Sequence, residues 1–131
     1  MRFSQRISVG LLMAGFALLA TGSVAWAGGL SQAASQGQQI FEQKCRACHT
    51  IGAGKLVGPD LMDVAQRRTA DWITAFITNP QKVIDSGDAD AIQLVKDFNG
   101  VVMPMVGLSN AEVAGVLEYL RNPGVAAAAS A

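Results

Sequence analysis

Both cysteines and the single histidine of this chain fall in one run, Cys45-Arg46-Ala47-Cys48-His49. Two thiols at this spacing lie on one side of a helical turn. Each can add to a vinyl group of a haem, and the adjacent imidazole then lies under the ring with a nitrogen for the iron. C-x-x-C-H is the attachment pattern for c-type haem. A thioredoxin-like redox disulfide would need a βαβ context, and no such pattern surrounds Cys45. A zinc site would need four ligands, one more than the chain has cysteines and histidines. A plain disulfide across so short a span would close a tiny loop and stabilise little. The run is therefore read as the attachment site of one haem, with Cys45 and Cys48 covalently bound and His49 as an iron ligand.

The sixth position on the iron calls for a soft ligand from a distant segment, and a thioether fills it and raises the potential. Past the N-terminal region the methionines are Met62, Met103 and Met105. A methionine is ordinarily core filler, and Met62, close to Pro59, is read that way. Met103 precedes Pro104, which pushes it toward extended backbone, in an apolar loop just before a well-signalled helix. Met103 is the preferred ligand. Met105 would serve almost as well sterically, and an open iron is the remaining alternative. Trp72 and Tyr119 each carry a polar tip. Trp72 could bond a haem propionate or sit in the core. Arg67 and Arg68 could neutralise propionates or be a solvated pair. With every cysteine and histidine spent at one place, and no defensible pairing among the acidic residues, no separate active site is visible. The chain is expected not to be an enzyme.

The N-terminus carries Arg2 and Arg6, an apolar run from Ile7 to Ala20, and small residues at Ala25-Trp26-Ala27. That is the layout of a secretory signal with cleavage after Ala27. An uncleaved anchor is the alternative, since the stretch to Ala27 is just long enough to span a bilayer. The expected division is a signal peptide over 1–27, one domain over 28–124 and a disordered Ala-rich tail over 125–131. Export to the periplasm suits covalent haem attachment. The signal inflates the 50% apolar composition, and its arginines hide a mildly acidic mature chain behind a formal charge of zero. No basic run exists, so nucleic acid is not an expected partner. Nor is a membrane, once the signal is gone. Roughly 100 mature residues make one domain with a modest core, to which a buried porphyrin would contribute heavily.

The elements that must position these residues read as helices and loops. Gly28 to Ala34 is small and polar and is expected to be loose. A first helix is expected from about Ser35 to Cys48, with Ile40 and Phe41 on its apolar face. Gly52, Gly54 and Gly58-Pro59 enforce a loop, and Leu61 to Val64 a short turn. Thr69 caps a second helix with Trp72, Ile73, Phe76 and Ile77 on one stripe, stopped by Asn79-Pro80. A third helix runs from Asp88 to about Phe98 and ends at Asn99-Gly100. The last starts at Ser109, where Ser109 and Glu112 form a capping box, buries Val113, Val116, Leu117 and Leu120, and ends at Asn122-Pro123-Gly124. No strand, repeat or second domain is signalled, so the fold class is all-α.

In this order the elements resemble the class I c-type cytochromes, from about Gly37 to Leu120. Gly37-x-x-x-Phe41 is similar to that family's N-terminal helix, and Leu117-Glu118-Tyr119-Leu120 to the C-terminal helix that crosses it. Gly58-Pro59-Asp60-Leu61 resembles its Gly-Pro-x-Leu loop, Phe76 to Lys82 the helix end before its distal loop, and Met103-Pro104 its ligand Met-Pro. The resemblance implies short helices wrapped on one covalent haem with His/Met iron. It also implies that the Pro59 carbonyl holds the second nitrogen of His49 and that Tyr119 packs between helices. Pro59, Leu61, Trp72 and Phe76 are expected to pack on the haem. One departure stands out: the segment between Pro80 and Met103 is longer than in the mitochondrial type and carries the extra helix from Asp88. The implied function is a carrier of single electrons between periplasmic redox proteins, which act as its donor and acceptor. The alternative is an electron-transfer subunit permanently bound to a periplasmic oxidoreductase. A ligand-binding or peroxidase-like protein would require that neither Met103 nor Met105 reach the iron.

Overall fold

The computed structural model describes residues 26–124. The expected signal segment up to residue 25 and the Ala-rich tail from 125 lie outside the described residues. Six α-helices follow in order: α1 (Trp26–Ile40), α2 (Val64–Arg67), α3 (Ala70–Thr78), α4 (Pro80–Asp85), α5 (Ala89–Asp97) and α6 (Asn110–Arg121). No strand occurs among the described residues.

The first helix begins earlier than its sequence signals. Residues 28–34, expected to be loose, are helical. The reason is tertiary: Ala34 is buried, and the carbonyl of Ala33 reaches the backbone of α6 at Gly115. Packing on a neighbour outweighs the weak helix propensity of Gly28 and Gly29. At its far end α1 runs without a break into a π-helical turn over Phe41–Cys45, closed by the Arg46 amide donating to the Phe41 carbonyl at 2.9 Å. Such a turn inserts one extra residue into a helix. Here it begins at Phe41 and ends at Cys45, both buried.

The crossing of α1 and α6 is the centre of the molecule. A Cβ on Gly37 would lie 1.9 Å from the Gly115 carbonyl oxygen, so the two backbones meet with no side chain between them. Around this point Ala34, Phe41, Cys45, Val116, Tyr119 and Leu120 form one buried cluster. Phe41 and Tyr119 meet ring to ring at 5.5 Å, tilted by 55°. Tyr119 thus packs between helices, as expected, and burial pushes its hydroxyl above the usual tyrosine range.

The helix starts follow their capping residues. Ser109 Oγ accepts from the Glu112 amide while Glu112 returns a bond to the Ser109 amide, completing the capping box of α6. Ser109→Ala removes the acceptor and is expected to cost about 1 kcal/mol, measurable by chemical denaturation. Thr69 caps α3 through the Trp72 amide at 3.2 Å. Asp88 caps α5 through the Ala91 amide at 2.8 Å. Asn79-Pro80 does end α3, but it also begins α4, a helix that the sequence reading missed. The Asn79 side chain accepts from the Lys82 amide at 3.0 Å, and Pro80 occupies the first turn, where its missing N–H costs nothing.

Candidate haem site

The end of the π-helical turn delivers Cys45, and the chain then curls tightly enough for the amides of Cys48 and His49 both to donate to the Cys45 carbonyl, at 3.0 and 2.9 Å. Cys45 and His49 are buried, each with 9% exposure. Burial, with the neighbouring Cys48 thiol adding to it, pushes the Cys45 thiol above its ordinary range.

His49 is held from two sides. Its Nδ1 lies 2.9 Å from the Pro59 carbonyl oxygen. A carbonyl only accepts, so Nδ1 is the donor, and in the neutral ring this leaves Nε2 with the lone pair a metal ligand needs. The backbone of Gly58 lies against the ring: a Cβ there would sit 2.6 Å from His49 Cε1. The Gly58 amide in turn donates to the Cys48 carbonyl at 2.7 Å. A glycine is required because the loop must touch the imidazole with backbone alone.

Asp60 follows Pro59. Hydrogen bonds from the amides of Gly52, Met62 and Gly54 and from the Thr50 hydroxyl hold its carboxyl well below the usual carboxylate range.

These residues border a single large apolar cleft enclosing about 1290 Å³, its open mouth included. Cys45, Cys48, His49, Pro59, Leu61, Trp72, Phe76 and Met103 all line it. Met105 does not line it and is 65% exposed, and Met62 is 41% exposed and also outside. The two methionine readings therefore separate on placement. Trp72 Nε1 donates to Asp88 at 3.1 Å, and its ring stacks on Phe76 at 4.8 Å. Arg68 pairs with Asp90 at 2.9 Å and lies over the Trp72 ring, and Arg67 donates to the Met62 and Asp60 carbonyls. Arg68 is thus ion-paired and Arg67 is tied to the backbone, and both border the cleft.

Sequence reasoning missed much of the lining. Val64 of α2, Ile84 of α4, Leu94 and Val95 of α5, and Val116 and Leu120 of α6 also line the cleft. Val116 and Leu120 were legible as inward, but nothing in a helical stripe separates a residue that meets another helix from one that meets a ligand, and Ile84 sits on a helix with no signal of its own.

The donor set fits a covalent haem. Two thiols and an imidazole share one segment, a thioether comes from a distant loop, and apolar side chains supply most of the rest of the lining, with Asp60, Arg67 and Arg68 on its border. No group of three or more His, Cys, Asp or Glu able to hold a bare metal ion occurs among the described residues.

Comparison with known proteins agrees with the site. Residues 34–123 match the cytochrome c family. A stretch of 64 residues, 40% of this chain, is 34% identical to a "Cytochrome c-553-like" protein of Synechocystis and spans 61% of that relative. A cytochrome c from Rhodothermus marinus is similar over 97% of this chain and 91% of its own, at 29% identity and a TM-score of 0.63. The cytochrome c domain of a Pseudomonas putida protein is similar over 65% of this chain and 84% of its own, at 32% identity and a TM-score of 0.57. With the helical fold, the C-x-x-C-H segment on the cleft wall and the matched residues in agreement, the chain belongs to the cytochrome c family, as a class I c-type cytochrome.

Proposed function

We propose that the protein carries single electrons between redox proteins of the periplasm, through one haem c attached to Cys45 and Cys48 and ligated by His49 and Met103. The observation that carries this reading is the shared cleft: His49, with Nε2 left free by the bond from Nδ1 to Pro59, and Met103 line the same apolar space. When bound, haem supplies one-electron chemistry. The chain's own work is to hold and bury it. Cys45 and Cys48 anchor the edge, Pro59 and Gly58 orient the imidazole, and Leu61, Trp72 and Phe76 exclude water.

The mouth of the cleft is edged by half-exposed Val57, Val101 and Val102. Lys55 stands beside the cleft lining, 5.3 Å from the Phe98 ring centroid, while Lys82 borders a separate groove. With Lys55 there and Arg67 and Arg68 on the border, association with an acidic partner should weaken as ionic strength rises. No helix among the described residues is long and apolar enough to cross a membrane. Cleavage after Ala27 would leave a mature domain over 28–124.

Met103→Ala is expected to abolish the red-edge charge-transfer band of the oxidised holoprotein and open the iron to carbon monoxide. Met105→Ala is expected to change neither. The reverse pattern would transfer the ligand to Met105, and carbon monoxide binding by the unaltered protein would favour the open-site reading. Stopped-flow reoxidation by periplasmic enzymes tests the carrier role. Co-purification with a catalytic subunit would favour the permanent-subunit alternative.

A further inference from the structure

The loop that presents Pro59 to His49 has little to hold it in place. Residues 52–57 are all exposed. Gly52 and Gly54 take positive φ angles of 80° and 89°, so the chain folds back on itself without burying a side chain there. One residue gathers the loop. Asp60 Oδ1 accepts from the Gly52 amide at 2.9 Å and the Met62 amide at 2.7 Å. Its Oδ2 accepts from the Gly54 amide at 2.5 Å and the Thr50 hydroxyl at 3.1 Å. Both arms of the loop therefore converge on a single carboxylate. The Leu61 amide donates to the Thr50 carbonyl at 2.8 Å, and Arg67 Nη2 reaches the Asp60 carbonyl at 3.4 Å.

The position of Asp60 in the chain matters as much as its bonds. Its nitrogen is bonded to the very carbonyl carbon whose oxygen accepts from His49. Pinning the Asp60 side chain and backbone therefore fixes where that carbonyl points. Hydrogen bonds to an ionised carboxylate are roughly twice as strong as neutral ones, so the anchor is firm although the loop is exposed.

We infer that Asp60 is a positioning residue for the iron. Its carboxylate locks the loop so that the Pro59 carbonyl holds the His49 Nδ1 proton in one geometry, and this sets how much electron density the imidazole gives the metal. A firm bond at Nδ1 raises ligand basicity and favours the oxidised iron. The inference rests on the reading of His49 as an iron ligand.

The test uses Asp60→Asn and Thr50→Val in the holoprotein. The asparagine turns an NH₂ group toward donors that need an acceptor, and the valine removes the hydroxyl, which reaches both Asp60 and the Gly54 carbonyl, while leaving the carboxylate and its three amide donors in place. Midpoint potential is measured by spectroelectrochemistry, and exchange of the His49 Nδ1 proton by ¹⁵N NMR. Asp60→Asn should speed that exchange by roughly tenfold and move the potential in the positive direction. Thr50→Val should move both the same way by less. Unchanged exchange and potential in Asp60→Asn, with lower melting temperature alone, would overturn the inference and leave Asp60 merely structural. If Asp60→Asn fails to fold, Thr50→Val decides by the same two readouts. The His49 ring resonances of the unaltered oxidised protein serve as the control: absence of paramagnetic shifts there would defeat the ligand reading itself.

Discussion

Replacing Cys45 and Cys48 together with alanine is expected to leave a protein that releases all its haem into acid acetone, where the unaltered holoprotein retains it. The larger consequence falls on the fold. The cleft is walled by α3, α4, α5 and α6, and none of these helices is long: α3 and α5 have 9 residues each and α4 has 6. Isolated helices of that length are marginal in water. Each is stabilised by what its apolar face meets, and for these faces part of the contact is the haem. Without a tethered haem the lining is exposed, and the chain has little left to offset the entropy of ordering. Circular dichroism should show most of the helical signal lost in the haem-free double variant. Either single variant should keep a haem by one thioether and hold an intermediate stability. Native-like helicity in the haem-free double variant would show that the helices do not need the haem.

Gly37→Ala is expected to be nearly as damaging with the haem motif intact. The added Cβ would lie 1.9 Å from the Gly115 oxygen and 2.3 Å from its carbonyl carbon. Overpacking ordinarily costs about 1–3 kcal/mol, but no rotamer change relieves a clash with backbone, so the helices must part. A loss of about 3 kcal/mol or more is a large share of the ~5–15 kcal/mol typical of a domain. At ~4–8 °C per kcal/mol the melting temperature should fall by well over 10 °C. Gly115→Ala is the internal control. Its nearest neighbour is the Ala33 carbonyl at 3.3 Å, and alanine favours a helix interior over glycine by about 1 kcal/mol, so that variant should be near neutral. Equal losses at both positions would contradict the asymmetry of the crossing.

Local chemistry was the part of the molecule legible in the sequence. The C-x-x-C-H run, the Thr69 cap and the Ser109–Glu112 box each depend on residues a few positions apart, and the structure has all of them. The Gly37 crossing and the bond from His49 to Pro59 were readable through family resemblance, since neither is visible to spacing alone. What escaped was decided by distant partners. Residues 28–34 are helical because α6 is there to pack on. The π-helical turn has no composition of its own. Pro80 was read as an end only, because a proline's two roles, stopping one helix and opening the next, look alike until the following turn is seen. Trp72 was open between a haem propionate and the core, and its indole hydrogen bond goes to Asp88, the cap of α5.

The crossing of α1 with α6 also governs when this protein can fold. Its two halves come from opposite ends of the described chain, so the core cluster cannot close until the last helix has left the ribosome. Contacts of such separation require closure of a long loop before any packing rewards it. A nascent chain ending anywhere before Asn110 has the C-x-x-C-H segment but no helix to cover it, and Cys45, buried in the finished protein, stays open to solvent. Until α6 packs, both thiols stay accessible to a haem that must be joined to them. Folding then becomes the step that seals the attachment, rather than one that competes with it.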